Sequence, residues 1–113
     1  MEKIVEQGLL YDFYGELLTE HQRRIYEDAV CHNLSLAEIA EEVGISRQGV
    51  HDLIKRCDHT LKSYEERLHL IQRFHQVRQK VQSINDLTED TQMKPELLRE
   101  QIRRLSGEIL EAL

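Results

Sequence analysis

Apolar and polar residues alternate with a helical period along nearly the whole chain. An apolar stripe of this kind covers residues 4–17. A second helix is predicted to start at Thr19, which forms a capping box with Gln22, and to end near Asn33, a residue that tolerates the left-handed conformation. The inward face of this second helix is expected to consist of Ile25, Tyr26, Ala29 and Val30.

Residues 36–55, LAEIAEEVGISRQGVHDLIK, have the pattern of a helix-turn-helix. The small Ala40 suits a close helix crossing, and Gly44 supplies the positive φ that the turn requires. Ser35 and Ser46 are the predicted N-caps of the two helices. Apolar residues recur where the helices would face each other and the core, at Ile39, Val43, Ile45, Val50 and Leu53.

The second helix of this motif has no stop signal for a long distance. Neither Pro nor Gly occurs between Gly49 and Pro95, so one helix is predicted to run on to about Ile84, with a break at 85–88 and a final helix over 95–112. At 1.5 Å per residue it would be about 57 Å long. Apolar residues follow a heptad seam along it, at Val50, Ile54, Cys57, Leu61, Tyr64, Leu68 and Ile71. Two interpretations are open: the C-terminal helix covers the seam, or the seam is the interface of a homodimer.

Composition favours an all-α protein. The 113 residues include one proline and five glycines, and 40% of them are apolar. The expected organisation is a helix-turn-helix domain over 1–62 and a helical extension over 63–113, continuous with the first as one folding unit. No apolar run is long enough to span a bilayer, and the acidic N-terminus is unlike a signal peptide, so we expect a cytoplasmic protein without membrane insertion. Cys31 and Cys57 are predicted to be reduced core residues.

Motifs for catalysis or metal binding are not found. The six histidines lack a second ligand at helical spacing on a shared inward face. There is no glycine-rich phosphate loop, no nucleophile with an adjacent base, and no buried carboxylate pair. We therefore expect a protein that is not an enzyme, with no catalytic residue, no metal and no cofactor.

The net charge of −6 bears directly on nucleic-acid binding, because that binding draws on phosphate neutralisation by Lys and Arg. On the outward face of the second motif helix, Arg47 is a candidate to read guanine and Gln48 to read adenine. The further candidates for contacts with nucleic acid are His51, Lys55, Arg56, Arg23 and Arg24. The alternative for all of them is an ordinary solvated helix face.

A second positive segment, RLHLIQRFHQVRQK over residues 67–80, contains no acid. Its basic residues are Arg67, Arg73, Arg78 and Lys80. On a continuous helix they would form a stripe suited to RNA or to an acidic protein surface. The alternative is that these are the flanking charges of a coiled-coil seam.

Two parts of the chain resemble known proteins. Residues 17–61 are similar to region 4 of bacterial sigma factors, and the segments LYDFYGELLTEHQ and SLAEIAEEVGISRQGVHDLIKR, with the long helical tail, resemble the YlxM family of small bacterial helix-turn-helix proteins. The resemblance implies a sigma-region-4-like fold with a C-terminal helical extension. It also implies a regulatory role in the signal recognition particle pathway, with the particle's RNA or its GTPase as partner. The alternatives are a DNA-binding transcriptional regulator unrelated to targeting, and a protein-protein interaction module with a vestigial motif.

Overall fold

The computed structural model describes residues 2–113, which form six α-helices and no strand. The predicted all-α fold is confirmed. The helices are α1 Lys3–Tyr14, α2 Glu20–Val30, α3 Leu36–Val43, α4 Arg47–Leu68, α5 Leu70–Glu89 and α6 Pro95–Ala112, with a short 3₁₀ segment, Gly15–Leu17, after α1.

Local sequence signals place the starts of α2, α3 and α4. The hydroxyls of Thr19, Ser35 and Ser46 each accept a hydrogen bond from the backbone N–H three residues later, at 3.2, 3.1 and 2.9 Å. At Thr19 and Ser35 the side chain three residues later also accepts from the N–H of the cap residue, which completes two capping boxes. Gly44 lies at φ 83° in the turn between α3 and α4. These predictions are confirmed.

The contacts group the chain into two compact units, the first extending to His69 and the second beginning at Leu70. In the first unit α4 packs against α1, α2 and α3. Its buried apolar core consists of Leu10, Tyr14, Leu18, Ile25, Tyr26, Ile39, Ala40, Val50, Leu53, Cys57 and Leu61. The core therefore holds α4 by its inner face and leaves the opposite face of its first turns toward solvent.

Carboxylates on α4 join that helix to α1 and α2. The Gln7 amide donates to both carboxylate oxygens of Asp58, at 2.9 and 3.1 Å, and the Tyr26 hydroxyl donates to the same group. Two turns further along α4, Glu65 accepts a hydrogen bond from the Tyr14 hydroxyl. Burial and the neighbouring carboxylate raise the pKa of Tyr26 above its ordinary value. These bonds fix the position of α4 from two sides.

The single helix predicted over Arg47–Ile84 is wrong. α4 ends at Leu68, and His69 adopts the left-handed conformation at φ 56°, with its N–H bonded to the Glu65 carbonyl at 2.9 Å. A new helix, Leu70–Glu89, then begins. Histidine is among the non-glycine residues that visit this conformation more often than most, so the helix ends without a Gly or Pro. The boundary expected after residue 62 falls inside α4.

The heptad seam is interior over its first half. Val50, Cys57 and Leu61 are completely buried in the core of the first unit, where α4 packs against α1–α3. This part of the seam therefore belongs to the core of the first unit, and the homodimer interpretation of the remaining seam positions stays a prediction. The predicted break at 85–88 was also wrong, since those residues lie inside α5.

In the second unit, α5 and α6 pack against each other across a short turn. α6 begins with Pro95 at its first position and ends at Ala112, as predicted. Leu105 is buried between the two helices, and the Lys80 ammonium lies 3.0 Å from the Glu108 carboxylate.

The two cysteines differ in their surroundings. Both are free thiols, and Cys57 is fully buried as predicted. Cys31, by contrast, is exposed at the end of α2, so its prediction as a core residue is wrong.

Candidate nucleic-acid interface

The turn of the helix-turn-helix fixes the start of α4 relative to α3. The N–H groups of Gly44 and Ile45 both donate to the Ala40 carbonyl, at 2.9 and 3.2 Å, which closes the end of α3. Two residues later Ser46 caps α4. The turn and the cap therefore fix the start of α4, where Arg47 is exposed.

Three of the predicted reading residues lie together at this tip. Arg47 and Gln48 are exposed, His51 is half-buried, and all three line one open groove of about 430 Å³ with Leu36. Asp52 holds one of them, because it accepts from the Gln48 amide at 2.9 Å, and its carboxylate lies near the His51 ring, at 3.6 Å without a hydrogen bond. The structure thus brings together donors that suit base edges in a major groove.

Lys55 and Arg56 lie one turn further along α4, and both are exposed. They extend the positive charge of Arg47 along the same helix. Their long side chains suit contacts with phosphate, and that role stays a prediction.

Arg23 and Arg24 lie elsewhere, on α2. They line a recess of mixed charge together with Glu20, Glu27, Asp28 and His32. The Arg24 guanidinium is 4.0 Å from the Glu42 carboxylate, and the Tyr11 hydroxyl that bonds to Arg23 raises the pKa of its guanidinium. The structure therefore places both arginines among acids and does not bring them to the groove at the start of α4.

The face of α3 next to that recess is acidic. Glu38, Glu41 and Glu42 line a second recess with Leu34. A phosphate chain would be repelled there, so a duplex at the α4 groove has to avoid this side.

Leu36 is the groove residue that sequence reasoning missed. It is the first residue of α3 and is only half-buried, although a leucine at a helix start is ordinarily assigned to the core. Spacing within one helix gave no signal for it, because its approach to Arg47 depends on how α3 and α4 cross.

The second positive segment does not form one helix face. Arg67 lies in the last turn of α4, whereas Arg73, Arg78 and Lys80 belong to α5, which follows the left-handed His69. Lys80 is paired with Glu108. The continuous stripe predicted over 67–80 is therefore wrong, and a role of these four residues in binding stays a prediction.

Over residues 2–113, no cluster of three or more His, Cys, Asp or Glu side chains is arranged to hold a metal ion. No helix in that range combines the length and apolar character needed to cross a bilayer.

Comparison with known proteins gives a consistent result. Residues 1–102 match the family model UPF0122, described as "Putative helix-turn-helix protein, YlxM / p13 like". The chain is 42% identical over 94 residues to a UPF0122 protein of Thermoanaerobacter sp. strain X514, covering 80% of each chain. It is 36% identical over 105 residues to a UPF0122 protein of Bacillus cereus strain AH187, covering 93% of this chain and 96% of the relative.

Proposed function

Because the chain belongs to the UPF0122 family of YlxM/p13-like helix-turn-helix proteins, we propose that it is a regulatory protein that binds duplex DNA with the first turns of α4 in the major groove. One observation carries the proposal: Arg47, Gln48 and His51 converge on a single groove at the exposed start of a helix that is held by its cap and by the core. Side chains fixed in this way lose little freedom on binding.

The bond between Gln48 and Asp52 is compatible with reading adenine. A glutamine amide has two N–H groups and a carbonyl, and Asp52 takes one N–H. The second N–H and the carbonyl remain for adenine N7 and N6. Arg47 is then the candidate for guanine, and Lys55 and Arg56 are the candidates for phosphate.

The experiment is selection from random-sequence duplexes with the full chain, followed by affinity measurements on the enriched site. The double variant Arg47→Ala/Lys55→Ala should bind that site at least tenfold more weakly, because one base contact and one phosphate contact are lost. The matched control is Lys94→Ala/Arg99→Ala, which removes the same charges from exposed positions of the second unit. Equal affinity of the parent and the Arg47/Lys55 variant would show that α4 is not the reading helix.

We further propose that two copies bind together. The first three turns of α4 offer only three basic side chains per chain, Arg47, Lys55 and Arg56, which is few for tight binding by a monomer. Two copies on adjacent half-sites double the footprint and predict an enriched site with two-fold symmetry. Light scattering of the protein with and without that duplex measures the stoichiometry, and one chain per duplex would contradict this part of the proposal.

The role in protein targeting that the family resemblance implies is a separate hypothesis. Arg73 and Arg78, exposed on α5, are the side chains it offers to an RNA or to an acidic protein. A purified-component assay tests it: unchanged GTP hydrolysis by the particle's GTPase and an unshifted particle RNA would reject it.

A further inference from the structure

The groove at the start of α4 contains an apolar side chain, and the polar candidates for base reading do not explain why it is there. Its four lining residues are Leu36, Arg47, Gln48 and His51, and none of them is a carboxylate. The recess at Leu34 differs from this groove, because three glutamates of α3 also line it. An apolar side chain thus lies among hydrogen-bond donors on the surface that would meet the duplex.

The backbone at Leu36 is fixed by the cap of α3. Leu36 directly follows Ser35, whose backbone and hydroxyl are both bonded to Glu38 at 3.1 Å in a reciprocal capping box. The opposite wall of the groove is fixed by the Ser46 cap and by the bond of Gln48 to Asp52. The backbone positions of both walls are therefore set before any ligand binds.

The edges of the base pairs in a major groove present one prominent apolar group, the 5-methyl group of thymine. RNA carries uracil, which lacks this methyl group, and its major groove in the A form is too narrow to admit side chains. We propose that Leu36 contacts a thymine methyl group next to the base pair read by Gln48 or Arg47, a group that the uracil of RNA does not present. The inference rests on the proposed function and adds to it the base that the apolar part of the groove recognises.

The test begins with the unmodified full chain and the duplex that it enriches from a random-sequence pool. Each thymine of that duplex is replaced in turn by 2′-deoxyuridine, which removes only the methyl group. One position in each half-site should then bind about three- to fivefold more weakly, the effect expected for one buried methyl group, whereas the other positions should be unchanged.

Two leucine variants assign the effect to its source. Leu36→Ala should bind thymine and deoxyuridine duplexes equally at that position. Leu34→Ala, the matched control on the acidic side of α3, should keep the full difference. Circular dichroism checks that each variant is helical, and if Leu36→Ala does not fold, Leu36→Gln keeps the length of the side chain and should lose the difference as well.

The outcomes distinguish a failure of the thymine contact from a failure of the proposed DNA binding. An enriched duplex that tolerates deoxyuridine everywhere, or a Leu36 variant that still discriminates, would overturn the thymine contact and leave the proposed function standing. Failure to enrich any duplex would overturn both.

Discussion

At the scale of single residues, the helix-turn-helix depends on backbone positions that admit few alternatives. Gly44 is at φ 83°, a conformation that costs an L-residue roughly 1–2 kcal/mol. Its N–H and that of Ile45 both need this turn in order to reach the Ala40 carbonyl. The residue therefore fixes the crossing of α3 and α4.

Replacement of this glycine gives a first prediction. Gly44→Ala should lower the free energy of unfolding by about 1 kcal/mol, because alanine is strained at positive φ although the site has open space for its Cβ. Urea denaturation measures the change. The control is Gly8→Ala within α1, where the space is also open and helix propensity predicts a gain of up to roughly 1 kcal/mol. Equal effects of the two substitutions would contradict the assignment.

Cys57 predicts a loss of stability at alkaline pH. Burial, with the nearby Asp58 charge, raises the pKa of its thiol to about 11, from an ordinary value of 9.0. The stability that the thiol contributes is full below pH 9 and is lost as the pH rises toward 11, because the unfolded chain releases its proton first. Between pH 8 and 10 this loss should amount to about 1 kcal/mol in urea titrations.

The cysteine variants provide the comparison for that pH dependence. Cys57→Ala should be less stable at pH 8, because a buried group is shortened, but should lose less stability between pH 8 and 10. Cys31→Ala, at the exposed cysteine, should keep most of the decline. A decline that is the same in all three proteins would assign it to other groups.

At the scale of elements, local signals were sufficient for the helix starts but not for every end. Thr19, Ser35 and Ser46 act through bonds spanning three residues, so the sequence predicted them correctly. The left-handed His69 carries no comparable signal, because histidine also occurs inside helices and nothing local in the sequence marks its positive φ. The long helix was therefore predicted in one piece.

The sequence likewise predicted some residues of the candidate site and missed others. The outward positions of α4 follow from helical periodicity once Val50 and Leu53 are placed in the core, so Arg47, Gln48 and His51 could be named in advance. The approach of Leu36 to them depends on the crossing of two helices. The position of the Arg24 guanidinium near the Glu42 carboxylate also depends on how two helices pack. Sequence spacing within one helix predicts neither.

The elements should also differ in their local stability. α4 carries four buried side chains, whereas Leu105 is the one buried side chain among residues 70–113. Hydrogen exchange should therefore be slowest at amides of α4 near Cys57 and clearly faster throughout α5 and α6. The amides of α1, which also packs on the core of the first unit, are the internal reference. Protection in α5 equal to that in α4 would contradict this ranking.

At the scale of the whole molecule, charge is divided unequally. Residues up to 69 include eight basic and fourteen acidic residues, whereas residues 70–113 include seven of each. The entire net charge of −6 thus lies in the unit that carries the helix-turn-helix. Binding to DNA through α4 must rely on a few well-placed contacts rather than on a general positive field.

This distribution predicts a shallow dependence on salt. With Arg47, Lys55 and Arg56 as the cationic contacts, the logarithm of the binding constant should fall with the logarithm of salt concentration with a slope of about −2 to −3 per bound chain. Titrations of the enriched duplex at several salt concentrations measure it. Arg56→Ala should make the slope less steep by roughly one. A slope steeper than about −5 would mean that further basic residues, such as Arg73 and Arg78, also contact phosphate.

The acidic face of α3 has a consequence for how such a protein finds its target in a cell. A genome offers about a million or more competing sites, and most DNA-binding proteins spend much of their time on them through charge alone. Glu38, Glu41 and Glu42 line a separate recess on α3, the other helix of the motif, and their charge opposes that indiscriminate attraction. If α4 binds DNA as proposed, such a chain would search along DNA more slowly but would occupy fewer irrelevant sites, so more of its copies would be available to the correct site.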